Sequence, residues 1–121
     1  MTRALYSLGA ISGAVGVALG AFGAHALRAR LAPERMGTFQ TGVQYQVWHA
    51  FATFAAAYAS VRFGGPAVAA GWLFLAGTAL FSGSLYGLAV SETRWLGALT
   101  PFGGLCFLAG WVLLAVSAAS G

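Results

Sequence analysis

The chain has 121 residues, 60% of them hydrophobic and only 7% charged, where a soluble domain has about a quarter charged. That balance excludes a water-soluble fold, and at roughly 20 apolar residues per span the length admits one small bundle of transmembrane helices. The net charge of +4 comes from arginines alone, because there is no Lys, and the only acids are Glu34 and Glu92. Arginines in short connecting segments are explained by membrane orientation rather than by a nucleic-acid partner. Paired-carboxylate chemistry has almost no material here, and the single Cys106 permits neither an internal disulfide nor a thiolate metal cluster.

Four long stretches free of Arg and Glu predict four helical spans near residues 5–23, 45–61, 67–90 and 101–119, forming a single domain over 1–121. The first span opens after Met1-Thr2-Arg3 and closes near the small residues Ala24 and Ala26, features that a cleavable leader also has. It carries Gly9, Gly13, Gly16, Gly20 and Gly23 at alternating steps of four and three, one stripe that lets another backbone come close. The spacing does not say whether the partner is another helix of this chain or of a second protomer. The connection from Ala26 to Gln44 contains Pro33-Glu34, a helix start, followed by Met36, Phe39 and Val43 on one stripe. It reads as a short amphipathic surface segment between helices 1 and 2.

The second span separates a small or polar stripe, Gln46, His49, Thr53, Ala56 and Ser60, from a bulky one, Val47, Phe51, Phe54 and Tyr58. His49 is therefore expected to face the bundle. Phe63-Gly64-Gly65-Pro66 predicts a tight turn that makes spans two and three antiparallel neighbours. The third span adds Thr78, Ser82 and Tyr86 on one side and Gly83 with Gly87 as a second small pair. The fourth is expected to open at Thr100-Pro101, the threonine hydroxyl capping free amides, and contributes Gly103, Gly104 and Gly110 to helix packing. Trp111 falls about mid-span, too deep for an interface anchor.

An up-and-down order of four spans gathers His25, Gln44, Tyr45, Gln46, His49, Ser82, Ser84, Tyr86, Glu92 and Thr100 towards one membrane face. All but Glu92 and Thr100 are the candidates for a ligand pocket, with His49 foremost because an ionisable group inside a span either pairs or serves a function. The bland alternative is a neutral histidine joining helices by hydrogen bonds. His25 and His49 also offer themselves as axial ligands for one haem iron, though no spacing rule demands it, and zinc lacks enough converging ligands. No motif places a base beside Ser82, Ser84 or Cys106, so no catalytic residue is assigned and an enzyme is not expected. Loops one and three carry Arg28, Arg30, Arg35 and Arg94, against Arg3 and Arg62 on the other side. The positive-inside rule then puts those loops in the cytoplasm and both termini outside.

The segments Leu19–Leu27 (LGAFGAHAL), Gln44–Ala50 (QYQVWHA), Phe81–Tyr86 (FSGSLY) and Thr100–Gly104 (TPFGG), the last continuing to Gly110-Trp111, carry a resemblance over nearly the whole chain. Together they resemble the YgdD/YwdK-type family of small inner-membrane proteins, domain of unknown function 423. The resemblance implies a four-span plasma-membrane protein. It implies no activity or mechanism, and its motifs fall on His25, Gln44, Tyr45, Gln46, His49, Ser82, Ser84, Tyr86 and Pro101. The first functional expectation is a non-enzymatic accessory, assembly or interaction subunit, partnered by lipid and by other membrane subunits or copies of itself. The rivals are a small-ligand protein holding lipid, quinone or haem around His25 and His49, and an oligomeric channel or transporter.

Overall fold

The computed structural model describes residues 2–120, Ser120 by its backbone only. Four helices follow one another: α1 (Thr2–Leu27), α2 (Pro33–Phe63), α3 (Gly65–Ser91) and α4 (Thr100–Ser120), and the described residues include no strand. The expected spans each lie within one of these helices. Three stretches are long and apolar enough to cross a membrane: Thr2–Leu27, Gly65–Ser91 and Arg94–Ala119. The exception is α2, which at 31 residues is roughly 46 Å long but carries Glu34, Arg35 and three glutamines in its first half.

The amphipathic surface segment expected between helices 1 and 2 is not a separate element. Pro33 fits the first turn of α2, with Ala32 before it pushed to an extended ψ of 155°, and the helix then runs unbroken to Phe63. Its apolar stripe continues in register into the buried stripe of the second half, so nothing ends the helix. Phe39 is 2% exposed, held between Ala24 of α1 and Ala89 of α3, and belongs to the core rather than the surface.

The turn between α2 and α3 is tighter than four residues. Gly64 alone connects them, at φ 93° and ψ −150°, a conformation that a side chain forbids, and Pro66 sits in the first turn of α3. The α3–α4 connection contains a 3₁₀ turn, Arg94–Ala98, that runs almost directly into α4. Its backbone satisfies the start of α4, the Phe102 and Gly103 amides both bonding to the Leu99 carbonyl. The expected threonine cap is therefore not made, and the Thr100 hydroxyl turns to α3.

The central pair is α2 and α3, packed antiparallel along their lengths; α1 lies mainly on α2, α4 mainly on α3, and α1 and α4 do not meet. Alanines make this possible: Ala52, Ala56 and Ala70 surround Phe74 and Phe107 in the main core, where small side chains bring backbones close enough for dispersion contacts that lipid cannot match. Towards its C-terminus α1 widens into a π turn, Leu19–Gly23.

Candidate functional site

The middle of α2 is the polar centre of the molecule. Gln46, His49 and Thr53 are all buried, on one stripe that Gly42 begins. A buried polar group without a partner is costly in this setting, so each must find one on a neighbouring helix or on its own backbone. Gln46 finds two: its Nε2 donates to the Ser12 carbonyl of α1 at 2.9 Å, and its Oε1 accepts from the Tyr86 hydroxyl of α3 at 2.6 Å. The Ser82 hydroxyl donates to the Gly42 carbonyl at 2.7 Å, a second stitch between α2 and α3. Ser84 spends its one proton on the Phe81 carbonyl, so the Thr100 hydroxyl, 2.6 Å away, is the donor that ties α4 to α3.

One turn further, His49 joins α2 to α4. Its Nδ1 lies 2.7 Å from the Tyr45 carbonyl, which can only accept, and its Nε2 lies 3.1 Å from the Trp111 indole nitrogen, which can only donate. Those two partners fix the tautomer: Nδ1 carries the proton, Nε2 accepts, and the ring is neutral. The imidazole stacks on Phe107 with centroids 3.6 Å apart and planes 11° apart, and Phe74 and Trp111 close around it.

Beside this box a groove of about 750 Å³ opens sideways between α2 and α4, with Phe81 of α3 also in its wall. Tyr45, Trp48, His49, Phe107 and Trp111 give it an aromatic lining, and Gly104 leaves room at its edge. The Tyr45 hydroxyl has no partner among the described residues.

The sequence-predicted pocket residues thus divide. Tyr45 and His49 line the groove; Gln46, Ser82, Ser84 and Tyr86 hold helices to one another; His25 and Gln44 are exposed elsewhere, His25 near the end of α1 and Gln44 beside a smaller hollow with Gly20 and Gln40. A pocket shared by His25 and His49 is not assembled, and the haem pair fails with it, since Trp111 occupies the nitrogen that would ligate. No group of three His, Cys, Asp or Glu side chains able to hold a metal gathers among the described residues.

The glycine stripe of α1 is spent inside the protomer. A Cβ added at Gly9, Gly16, Gly20 or Gly23 would meet Phe54, Val47, Val43 or Phe39 of α2 within 3.2 Å, whereas at Gly13 it would reach only Ala50, at 3.8 Å. Gly103 lies on the Phe81 backbone and Gly110 on Phe74, so both serve the α3–α4 contact. Gly104 borders the groove, Gly87 meets Leu96 of the 3₁₀ turn, and Gly83 faces open space and packs nothing. Sequence reasoning missed Gly42, Gly71 and Gly77, which receive Tyr86, Leu5 and Phe107. Gly42 was within reach, because it extends the buried stripe of α2 by one turn. The Trp111 partner of His49 had no local signal.

Three apolar spans and relatives that are themselves membrane proteins define the class: a small, all-helical integral membrane protein. Residues 19–104 match the family described as "Protein of unknown function (DUF423)", and the chain belongs to that family. It is 43% identical to the UPF0382 membrane protein YwdK of Bacillus subtilis (strain 168), over 92% of each chain. It is 47% identical to the UPF0382 inner membrane protein YgdD of Escherichia coli (strain K12), over 97% of this chain and 90% of that one. No solved structure matches it.

Proposed function

We propose that the protein is a non-enzymatic interaction subunit of an assembly in the cell (inner) membrane, and that the α2–α4 groove receives a transmembrane helix of its partner. The observation that carries this reading is Trp111, 45% exposed at the middle of α4, where an indole gains nothing from headgroups. Its ring borders a groove wide enough to take side chains of another helix. Gln46, His49 and Ser82 already have partners within the bundle, which leaves the groove to act through shape and apolar contact.

In this reading all four helices cross the bilayer. Support for α2 as a span comes from its ends: the Thr2 hydroxyl of α1 donates to Ser60 at 2.9 Å, and Arg35 bonds to the Val90 carbonyl at the end of α3 at 3.1 Å. α2 therefore traverses the same thickness as its apolar neighbours, with its polar stripe turned towards them. The arginine excess on the side of Arg28, Arg30, Arg35 and Arg94 orients that side to the cytoplasm and both termini away from it.

The test is the mass of the native particle, extracted by a tag in mild detergent, for the wild type and for Gly104→Leu. A Cβ at Gly104 has only Phe81 within reach, at 4.0 Å, so the larger side chain fills the groove without disturbing the fold. A stoichiometric larger particle that Gly104→Leu dissociates is expected; a wild-type monomer free of partners would sink the reading. A second reading, a lipid or quinone in the same groove, is favoured by the unpartnered Tyr45 hydroxyl. It predicts instead a small particle that co-purifies with a lipophile and loses it in Gly104→Leu.

A further inference from the structure

The only ion pair among the described residues lies at the opposite extreme of polarity from the groove. Arg35, in the first turn of α2, places Nη2 on the Val90 carbonyl and Nη1 3.4 Å from Glu92 Oε2. It thereby caps the C-terminus of α3, where carbonyls without amide partners carry partial negative charge. Glu92 itself holds the left-handed turn that ends the helix, at φ 57°. Next to this cap is a hollow of about 220 Å³, lined by Arg35, Thr38, Leu88, Ala89, Glu92 and Arg94.

Two guanidinium groups face one carboxylate there, so the hollow keeps a net positive charge. Glu34, the other acid of the chain, is exposed and outside the lining. Arg35 is committed to the α3 terminus, whereas Arg94 makes no hydrogen bond or ion pair with the described residues. Leu88 and Ala89 form the apolar side of the hollow. Trp95 is 65% exposed on the adjoining 3₁₀ turn, and an exposed indole near the end of a span favours the headgroup layer. An occupant must therefore join a phosphate-sized anion to an apolar stem. A guanidinium with free N–H groups is suited to the first, and Leu88 with Ala89 to the second.

We propose that this hollow is a binding site for the phosphate of an anionic phospholipid, with Arg94 as its principal ligand and Arg35 as the cation that completes it. Free phosphate shares the chemistry of the anion but would leave the apolar wall unused. The site stands apart from the α2–α4 groove, so it does not depend on the interaction-subunit reading.

The experiment is native mass spectrometry of the delipidated full chain in uncharged detergent, titrated with phosphatidylglycerol, phosphatidylcholine or inorganic phosphate. Wild-type protein is expected to retain phosphatidylglycerol about fivefold more strongly than phosphatidylcholine, the scale of one arginine near an anionic headgroup. Arg94→Gln should erase that preference, Glu92→Gln should increase it, and Arg3→Gln with Arg62→Gln on the other membrane face should leave it unchanged. Equal retention of the two lipids by the wild type overturns the site. So does a preference that survives Arg94→Gln, or one lost equally in the Arg3→Gln, Arg62→Gln protein. Displacement of phosphatidylglycerol by millimolar phosphate would overturn the lipid assignment. Because the Arg94 side chain holds nothing in the fold, Arg94→Gln should share the wild-type thermal midpoint, and Glu92→Gln supplies a second variant of opposite sign.

Discussion

His49 has both ring nitrogens engaged, one by a group that only accepts and one by a group that only donates, and this makes it a joint between helices. Replacing Trp111 by Phe removes the donor to Nε2 and should cost about 1 kcal/mol. The coupling between Trp111→Phe and His49→Phe should be about 0.5–1.5 kcal/mol in a double-mutant cycle read by reversible unfolding in mixed micelles. Additive effects would mean that the 3.1 Å contact contributes nothing. Glycines make a sharper comparison. At Gly103 a methyl group would collide with the Phe81 backbone, which cannot move without moving α3, so Gly103→Ala should lose about 1–3 kcal/mol. At Gly13 the same methyl would meet Ala50 at 3.8 Å, an ordinary contact, and Gly13→Ala should unfold at the wild-type midpoint or slightly above it.

Among the helices, α2 is the one on which the others depend, because its polar stripe bonds to α1, α3 and α4 within two turns. Gln46 shares its amide between Ser12 and Tyr86, so Gln46→Leu removes both the α2 acceptor of the half-buried Tyr86 hydroxyl and the bond to α1. It should destabilise more than Tyr86→Phe does, and the double variant should recover part of the loss, since no unpaired hydroxyl remains. Thermal unfolding followed by circular dichroism in detergent measures all three, and a double variant no better than Gln46→Leu would contradict the account. The single-residue hinge before α3 is similarly exposed to change. Gly64→Ala forces a side chain into φ 93°, with an expected cost of about 1–3 kcal/mol, although no atom crowds the position.

The whole molecule is asymmetric along its helix axes. Stitches between helices cluster at the middle and towards the arginine-rich side, while the other end is held mainly by Thr2 with Ser60 and by Leu5 on Gly71. Amide exchange should consequently be faster at the Thr2 end of α1 than at the Phe39–Tyr86 end, where the second core cluster lies. Uniform protection along α1 would argue against this. Dissociation of the native particle by Gly104→Leu, and the dependence of lipid retention on Arg94, belong to the same scale, since each concerns what the bundle meets outside itself.

Several features were legible without a structure because their causes are local. Apolar runs long enough to span a bilayer must be helical, since no other open structure satisfies its own backbone there. Phe63-Gly64-Gly65-Pro66 signals a helix end because proline cannot continue the preceding helix, and alternating steps of three and four place His49 with Gln46 and Thr53 on one face. The family resemblance was likewise carried by short segments. What the tertiary structure decided is which face meets which. Four of the five α1 glycines close on α2, and four of the pocket candidates prove to hold helices to one another. His25 lies apart from His49, and Trp111 completes the imidazole. Each of these depends on the rotation and register of two helices together, and the spacing within one helix specifies its own face but not what that face will touch.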